Sequence, residues 1–283
     1  MSIHIIKCDN MNKRKLIINI VWLILWLCTI ILIIYSKTNN DVKLVMNNYN
    51  NSSTIVYSVN NDEILYQNNI HQKMLPASLT KLLTALVAYK YIDLNKVIKI
   101  SSDMINVTGS RIYLEKDDLI RVEDLIIGMI LQSGNDAAKA LQYAYSDNPD
   151  DFILLMNDEV KRLGLKNSIF NNTTGLDEDE FNYTSTYDFA IITKELLKYP
   201  YLKDLIGLKE YKIKFDERTI YVRHKHKLLI TENFLIGGKT GYTKKAGRTL
   251  VSVYEKGENL IIIVSFNISS DWSVHKTLAN KYL

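Results

Sequence analysis

Three short motifs follow one another along this chain, and their residue types suit nucleophilic catalysis. The motifs are Ser78-Leu79-Thr80-Lys81, Ser133-Gly134-Asn135 and Lys239-Thr240-Gly241. A serine hydroxyl is a poor nucleophile at neutral pH and needs a base beside it. Together the motifs supply a nucleophile, a base, a proton relay and an anion-binding strand. We therefore predict a serine enzyme that forms an acyl intermediate.

The first motif places a serine and a lysine three positions apart, which puts both side chains on one face of a helix. We expect Ser78 in the first turn, where a free backbone N–H can help to bind an oxyanion. Lys81 must be neutral to act as a base, and burial beside a second cation lowers the pKa of a lysine. Lys239 is the candidate cation. An isolated S-x-x-K is usually an ordinary helix start, which is our interpretation of Ser273-Val274-His275-Lys276.

The second motif lies between two predicted helices, where a loop can reach across a cleft. Ser133 could relay a proton to a leaving amine. Asn135 could hold the amide carbonyl of a substrate and orient Lys81. The alternative is a helix cap, because serine and asparagine are favoured at that position.

The third motif ends an apolar segment that we predict to be a strand. Lys239 and Thr240 could bind a carboxylate, one by charge and the other by its hydroxyl. Gly241 would let the backbone approach a bound peptide closely, and the backbone N–H of Tyr242 would then face the oxyanion. The alternative is a strand that simply ends in a turn.

The elements that must position these motifs are strands at both ends of the exported part and helices between them. We predict strands at residues 54–59, 63–66, 210–215, 219–222, 234–241, 249–255 and 260–266. Helical spacing begins at Ser78 and recurs within 117–131, 137–145, 151–163, 185–197 and 271–283. The order predicts an α/β (α+β) fold, with one antiparallel sheet built from both termini, flanking helices and a helical lobe.

An apolar run at residues 16–35 is about as long as a membrane-spanning helix requires. The basic cluster at residues 13–15 directly before it favours a cytoplasmic N-terminus. We therefore predict a cytoplasmic stub (1–15), a transmembrane anchor (16–35), a linker (36–53) and an extracytoplasmic catalytic domain (54–283). The chain would be a single-pass protein of the cell membrane. A cleaved signal peptide is the alternative, but no small-residue cleavage site follows the run.

Composition excludes several classes of protein. The formal net charge is +4, of which residues 1–36 carry +3, so the rest presents no basic face for nucleic acid. Cys8 and Cys28 both precede residue 36, so the exported part can form no disulfide and is not a thiol enzyme. His224 and His226 lack a third ligand, and we interpret them as a solvated strand face. We expect no metal and no cofactor.

Longer segments around the motifs resemble the low-molecular-mass penicillin-binding proteins that are serine D-alanyl-D-alanine carboxypeptidases, which have a β-lactamase/transpeptidase-like fold. The segments are 76–84, 109–110, 122–125, 132–138, 170–176, 184–186 with Asp188, 238–243 and 246–247. They extend across roughly residues 54–270, nearly the whole exported part.

The resemblance implies a role for each motif residue. Ser78 would be acylated by the penultimate D-Ala of a peptidoglycan stem peptide ending in D-Ala-D-Ala, and water would then hydrolyse the acyl-enzyme. Lys81 would be the base, Ser133 and Asn135 the relay and orienting groups, and Lys239 the carboxylate binder. β-Lactams would be inhibitors that acylate the same serine.

The chain also departs from the family pattern. Many members carry a small β domain and a C-terminal amphipathic helix that docks on the membrane, and we expect the N-terminal anchor to replace that attachment. Thr174 stands where a proline is frequent in the third segment.

The sequence leaves three alternative functions open. A D,D-endopeptidase or transpeptidase would use the same motifs. A class A β-lactamase would need an E-x-x-L-N loop, which is absent between residues 150 and 200. A non-catalytic penicillin sensor would need a longer cytoplasmic part.

Overall fold

The computed structural model describes residues 19–33, 51–177, 180–215 and 218–283. The chain divides into two units, Met1–Asn48 and Tyr49–Leu283. In the first unit, residues 19–33 form helix α1. None of the helices in the described residues has both the length and the apolarity that crossing a membrane requires. The predicted stub, both ends of the predicted anchor and residues 36–50 of the predicted linker lie outside the described residues.

The second unit contains a five-stranded antiparallel sheet. Its strands are β1 (Ser53–Ser58), β2 (Glu63–Asn68), β7 (Leu235–Thr243), β8 (Gly247–Lys256) and β9 (Asn259–Phe266). Their order across the sheet is β2-β1-β9-β8-β7. Strands from the two ends of the unit meet where β1 pairs with β9, in the register Ser53↔Phe266 to Ser58↔Ile261. The prediction of one sheet built from both ends is therefore confirmed.

Two smaller antiparallel sheets of two strands each complete the described strands of this unit. One pairs β3 (Val97–Lys99) with β4 (Leu119–Arg121), and the other is the hairpin of β5 (Glu210–Lys214) and β6 (Thr219–Arg223). A 3-10 turn, Lys227–Ile230, follows β6 and leads towards β7.

Helices occupy the middle of the chain, as the periodicity predicts, and one more follows the last strand of the sheet. They are α2 (Thr80–Tyr91), α3 (Ser102–Ile105), α4 (Val122–Leu131), α5 (Asn135–Tyr145), α6 (Asp150–Arg162), α7 (Thr186–Leu196), α8 (Pro200–Leu205) and α9 (Asp271–Tyr282). The sequence indicates Pro200 as the end of a helix, yet it begins α8. Proline suits the first helical position because its missing N–H has no partner there anyway.

Helix α2 lies at the centre of the core and begins with Thr80 and Lys81 of the first motif. Its residues from Thr80 to Ala88 are all buried, so it lacks the exposed polar face of a surface helix. It contacts α4, α5, α6 and α7. Because α7 packs on β1 and β9, the buried first part of α2 is held in a fixed position relative to the sheet.

Candidate active site

Ser78 lies in a 3-10 turn, Ala77–Leu79, that leads into α2. This turn takes the place of the first α-helical turn that the motif spacing predicts. Ala77 has a left-handed φ of 49°. A Cβ at Gly241 of β7 would lie only 2.9 Å from the backbone nitrogen of Ser78. Gly241 therefore lets β7 run directly beside the N–H of the candidate nucleophile.

Lys81 is fully buried and its Nζ contacts three oxygen atoms. Nζ lies 3.1 Å from Ser78 Oγ, 2.8 Å from Asn135 Oδ1 and 2.6 Å from the carbonyl oxygen of Thr174. The first two motifs are thus joined through a single amine.

Burial lowers the pKa of Lys81 well below its ordinary value, and the nearby charges of Lys239 and Lys225 lower it further. Asp136 acts in the opposite direction but has a smaller effect. A neutral amine has a lone pair, so Lys81 is suited to accept the hydroxyl proton of Ser78.

Ser133 lies in the loop between α4 and α5, with a φ of 62°. Its Oγ accepts a hydrogen bond of 2.9 Å from Nζ of Lys239, which also donates to the carbonyl oxygen of Thr240 at 3.0 Å. Burial lowers the pKa of Lys239 to about 7, with a contribution from the charge of Lys225. Each of the two buried lysines therefore contacts one of the two motif serines.

Asn135 begins α5 and uses both ends of its side-chain amide. Its Oδ1 accepts the bond from Lys81, and its Nδ2 donates to the carbonyl oxygen of Thr108 at 2.7 Å. The N-cap residue of α5 is Gly134, which has no side chain to cap the helix. The helix-cap alternative for Ser133 and Asn135 is therefore wrong.

The three motifs meet at an open cleft of about 600 Å³. Five predicted site residues line it: Ser78, Ser133, Thr240, Gly241 and Tyr242. The other three bond to them or to one another behind this lining: Lys81, Asn135 and Lys239. The structure thus brings all eight predicted residues together, and Tyr242 is 65% exposed at the rim.

Lys225 is a cleft residue that the motifs do not indicate. It lines the cleft beside Thr240, and its Nζ lies 2.7 Å from Ser110 Oγ. Burial lowers its pKa. The signal in the sequence was weak, because Lys225 lies in an alternating stretch that we interpret as an exposed strand.

That interpretation of His224 and His226 is wrong. Both residues follow β6 rather than belonging to it, and His226 is only 1% exposed. Its Nε2 contacts Ser252 Oγ at 2.9 Å and the carbonyl oxygen of Val251 at 3.2 Å. Throughout the described ranges, no set of three or more potential ligands could hold a metal ion.

The family model for D-alanyl-D-alanine carboxypeptidases of the peptidase S11 group matches residues 39–270. The chain therefore belongs to this family. It is 33% identical over 224 residues to the carboxypeptidase DacF of Bacillus subtilis (strain 168), a match that covers 77% of this chain and 57% of DacF. It is 29% identical over 228 residues to a D-alanyl-D-alanine endopeptidase of Haemophilus influenzae, covering 77% of this chain and 76% of the relative. The chain spans about half the length of the carboxypeptidases it matches.

Solved structures confirm the fold class. A D-alanyl-D-alanine carboxypeptidase from Mycobacterium tuberculosis H37Rv superposes with a TM-score of 0.77 at 23% identity, covering 81% of this chain and 89% of that one. A penicillin-binding protein from Listeria monocytogenes in its cefotaxime-bound form has a TM-score of 0.70 at 24% identity, covering 81% and 94%. The β-lactamase/transpeptidase-like fold is thus shared.

Proposed function

We propose that this chain is a serine-type D-Ala-D-Ala carboxypeptidase that removes the terminal D-alanine from peptidoglycan stem peptides through an acyl-enzyme on Ser78. The observation that carries the proposal is the buried amine of Lys81, 3.1 Å from Ser78 Oγ, with a pKa well below the ordinary value. Membership of the family supports the substrate class.

Acylation starts when Lys81 accepts the hydroxyl proton and Ser78 Oγ attacks the carbonyl carbon of the penultimate D-Ala. The oxyanion faces the backbone N–H groups of Ser78 and Tyr242. Asn135 holds Lys81 in place through Oδ1. When the amide bond breaks, Ser133 relays a proton to the leaving amine.

The terminal carboxylate of the substrate binds on the cationic side of the cleft. Thr240 and Lys225 line the cleft and contact it directly, by a hydroxyl and by a charge. Lys239 is 1% exposed and hydrogen-bonded to Ser133, so it attracts the carboxylate by its charge without direct contact.

Deacylation repeats the same proton transfers with water as the nucleophile. Lys81, neutral again, activates the water, and Ser78 leaves as the alcohol. A β-lactam acylates Ser78 in the same way, and its opened ring stays attached and leaves slowly. The cefotaxime-bound relative in Listeria supports β-lactams as inhibitors.

We also propose that residues 16–35 anchor the chain in the cell membrane, with a cytoplasmic N-terminus and the catalytic unit outside. The apolar run and the basic cluster before it support this placement. Carbonate extraction of cell membranes and protease accessibility of intact spheroplasts would test it. Release of the full-length chain by carbonate would contradict the anchor.

A second candidate function is D,D-endopeptidase activity. It is favoured by the relative from Haemophilus influenzae, which is named for that activity and is matched over 76% of its length. The two activities differ in the leaving group and share the acyl-enzyme.

The carboxypeptidase is tested with the full-length chain in detergent and a short peptide ending in Lys-D-Ala-D-Ala. We expect release of D-alanine and covalent labelling by a fluorescent penicillin, and both should vanish in Ser78→Ala. Ser273→Ala, in the second S-x-x-K of the chain, is the matched control and should keep both. Covalent labelling retained in Ser78→Ala would contradict the proposal.

A further inference from the structure

The three oxygen atoms around the amine of Lys81 differ in their hydrogen-bonding capacity. The carbonyl oxygen of Thr174 can only accept, and it makes the shortest of the three contacts, at 2.6 Å. Oδ1 of Asn135 also only accepts, and Nδ2 of the same amide donates to the carbonyl oxygen of Thr108. A neutral amine has two N–H groups and one lone pair. When the two N–H groups bond to these two acceptors, the lone pair is left for the hydroxyl of Ser78.

The carbonyl group of Thr174 lies in the loop between α6 and α7, so no helix or strand fixes its direction. The side chain of Asn172 does so instead. Its Oδ1 accepts from the backbone N–H of Gly175 at 2.7 Å, from the backbone N–H of Thr174 at 3.2 Å and from the hydroxyl of Thr174 at 3.1 Å. An asparagine that binds the N–H groups two and three positions ahead of it fixes a tight turn.

The bond to Gly175 acts directly on the carbonyl group that Lys81 contacts. The C=O of Thr174 and the N–H of Gly175 belong to one peptide unit, which is planar and trans. Because the two groups point in opposite directions across that plane, an N–H held on Asn172 turns the carbonyl oxygen away from Asn172 and onto Lys81. The side chain of Asn172 therefore determines the direction of an acceptor that it does not itself contain.

This turn is also anchored on the first motif. Gly175 has a left-handed φ of 78°, and a Cβ there would lie only 1.8 Å from the carbonyl oxygen of Ala77. Asn182 is 3% exposed, and its Nδ2 donates to the carbonyl oxygen of Asn172 at 3.0 Å and to Thr80 Oγ1 at 3.1 Å. The turn is thus held at a fixed distance from the nucleophile and the base.

The residue types of this chain are needed for the complete set of donors. Thr174 stands where proline is frequent in the resembling sequences, and a proline has neither an N–H nor a hydroxyl to donate. Two of the three hydrogen bonds to Oδ1 of Asn172 come from Thr174. Asn172 is not among the described residues that line the cleft, so it can influence the reaction only through other residues.

We propose that Asn172 is a positioning residue for acylation. Its Oδ1 orients the peptide unit between Thr174 and Gly175, and the carbonyl oxygen of that unit takes one N–H of neutral Lys81. The lone pair of Lys81 is thereby directed at Ser78, whose proton it accepts while Oγ attacks the carbonyl carbon. This inference rests on the proposed function and adds a residue to its machinery.

Stopped-flow labelling of the full-length chain in detergent with a fluorescent penicillin tests the inference. The method separates the constant for initial non-covalent binding from the rate constant of acylation. In Asn172→Ala we expect the rate constant of acylation to fall about 10- to 100-fold, because the base is no longer aligned. The binding constant should stay unchanged, because Asn172 does not line the cleft.

Asn172→Asp separates the acceptor from the rest of the side chain. It keeps an oxygen at the position of Oδ1 and loses only the Nδ2 donor, which bonds to the carbonyl oxygen of Glu180. The pH-independent rate constant of acylation should return to within about threefold of wild type.

The new carboxylate should also change the pH profile in a defined direction. The pKa of Lys81 is lowered by burial and by the charges of Lys239 and Lys225, and it is raised by Asp136. A further negative charge favours the charged amine. The acid limb of the acylation profile should therefore move upward by about half a pH unit or more in Asn172→Asp.

Asn148→Ala is the matched control. Oδ1 of Asn148 accepts from the backbone N–H of Asp150 at 3.3 Å, in a turn of the same kind before α6. Asn148 is not among the described residues that line the cleft. This variant should keep both constants of wild type.

The outcomes separate this inference from the proposed function. A rate constant of acylation in Asn172→Ala within about threefold of wild type overturns the positioning role and leaves the proposed function intact. An equal loss in Asn172→Ala and Asn172→Asp also overturns it, because the lost Nδ2 donor would explain both. If Asn172→Ala does not fold, an unmoved acid limb in Asn172→Asp overturns it. If the wild-type chain is not labelled and releases no D-alanine, the proposed function fails and the inference fails with it.

Discussion

Two clusters of buried charge in this molecule differ in whether carboxylates accompany the cations. Glu159 on α6 is 1% exposed and pairs with Lys90 and Arg162, both at 2.6 Å. Arg162 continues to Glu195 at 2.5 Å. At the cleft, Lys81 and Lys239 are equally buried, yet in the described residues they bond only to hydroxyl, amide and carbonyl oxygens.

The ionisation of the two clusters differs accordingly. Burial alone would raise the pKa of Glu159, but hydrogen bonds from Arg162 and Lys90 outweigh it and the pKa falls. Burial lowers the pKa of Lys81 and Lys239, and among the described residues the only opposing carboxylate is Asp136, whose charge has the smallest effect on Lys81. The same degree of burial thus gives a stable ion in one place and a reactive amine in the other.

Removal of the unpaired amine should have the largest effect on chemistry. Lys81→Met keeps the apolar stem, and we expect acylation by penicillin to slow at least about 1000-fold because Ser78 loses its base. Thermal stability should stay equal or rise, because a buried polar group without a carboxylate is replaced by an apolar one. Stopped-flow acylation and thermal unfolding measure both. A marked loss of stability with nearly normal acylation would contradict the contrast between the cleft lysines and the Glu159 cluster.

The paired cluster should respond in the opposite way. Glu159→Gln leaves Lys90 without this anion and Arg162 with Glu195 alone. We expect the free energy of unfolding to fall by about 2 kcal/mol, a moderate value because both cations are partly exposed. Acylation by the folded protein should not change. Asp158→Asn, which removes the exposed ion pair with Lys161, is the matched control and should hardly shift a urea unfolding curve. Equal curves for the two variants would contradict the contrast.

Lys225 is a third kind of cation in this molecule, because it lines the cleft but is exposed to solvent. Lys225→Ala should lower kcat/KM for the D-Ala-D-Ala peptide about tenfold, mainly through KM, because a carboxylate loses a charged partner. Lys212→Ala, on the exposed side of β5, is the control and should behave like wild type. Steady-state kinetics on both variants measure kcat and KM. An unchanged KM in Lys225→Ala would show that Lys225 does not bind the carboxylate.

The smallest effect concerns pH. Lys81 acts when neutral, so kcat/KM should rise with pH as this lysine loses its proton. Lys239 acts when charged and has a pKa of about 7, so kcat/KM should fall above that pH. Lys239→Arg keeps its charge at all working pH values and should move the alkaline limb upward by about one pH unit or more. An alkaline limb that stays near pH 7 in Lys239→Arg would show that another group causes the fall in kcat/KM.

The motif residues were predictable because each has a reactive side chain at a characteristic spacing. Ser78 and Lys81 share a face through their three-residue separation, and Asn135 follows a predicted helix boundary. Thr174 was not predictable, because it contributes a carbonyl oxygen that every residue type has, 93 positions from Lys81. Only the tertiary fold brings the two together.

The strands were predictable for a similar reason. Turn residues at Asn60-Asn61-Asp62 and around Gly257 separate alternating segments, and both connect hairpins. His224 and His226 show the limit of that reasoning. Their alternation is typical of an exposed strand, yet the segment leaves β6 and buries His226 against β8. Local pattern does not encode a contact between elements that are distant in sequence.

The position of β7 at the edge of the sheet has a consequence for the behaviour of the protein in concentrated solution. The N–H of Gly238 donates to the carbonyl oxygen of Ile206 at 3.0 Å, which covers the first part of this edge. The part beside the cleft stays open for an extended peptide, and an open edge also templates pairing with a strand of another molecule. Four exposed lysines surround this open part of the edge: Lys225, Lys227, Lys244 and Lys245. They repel the same lysines of a second molecule, and this repulsion opposes self-association where the sheet edge has to remain unpaired.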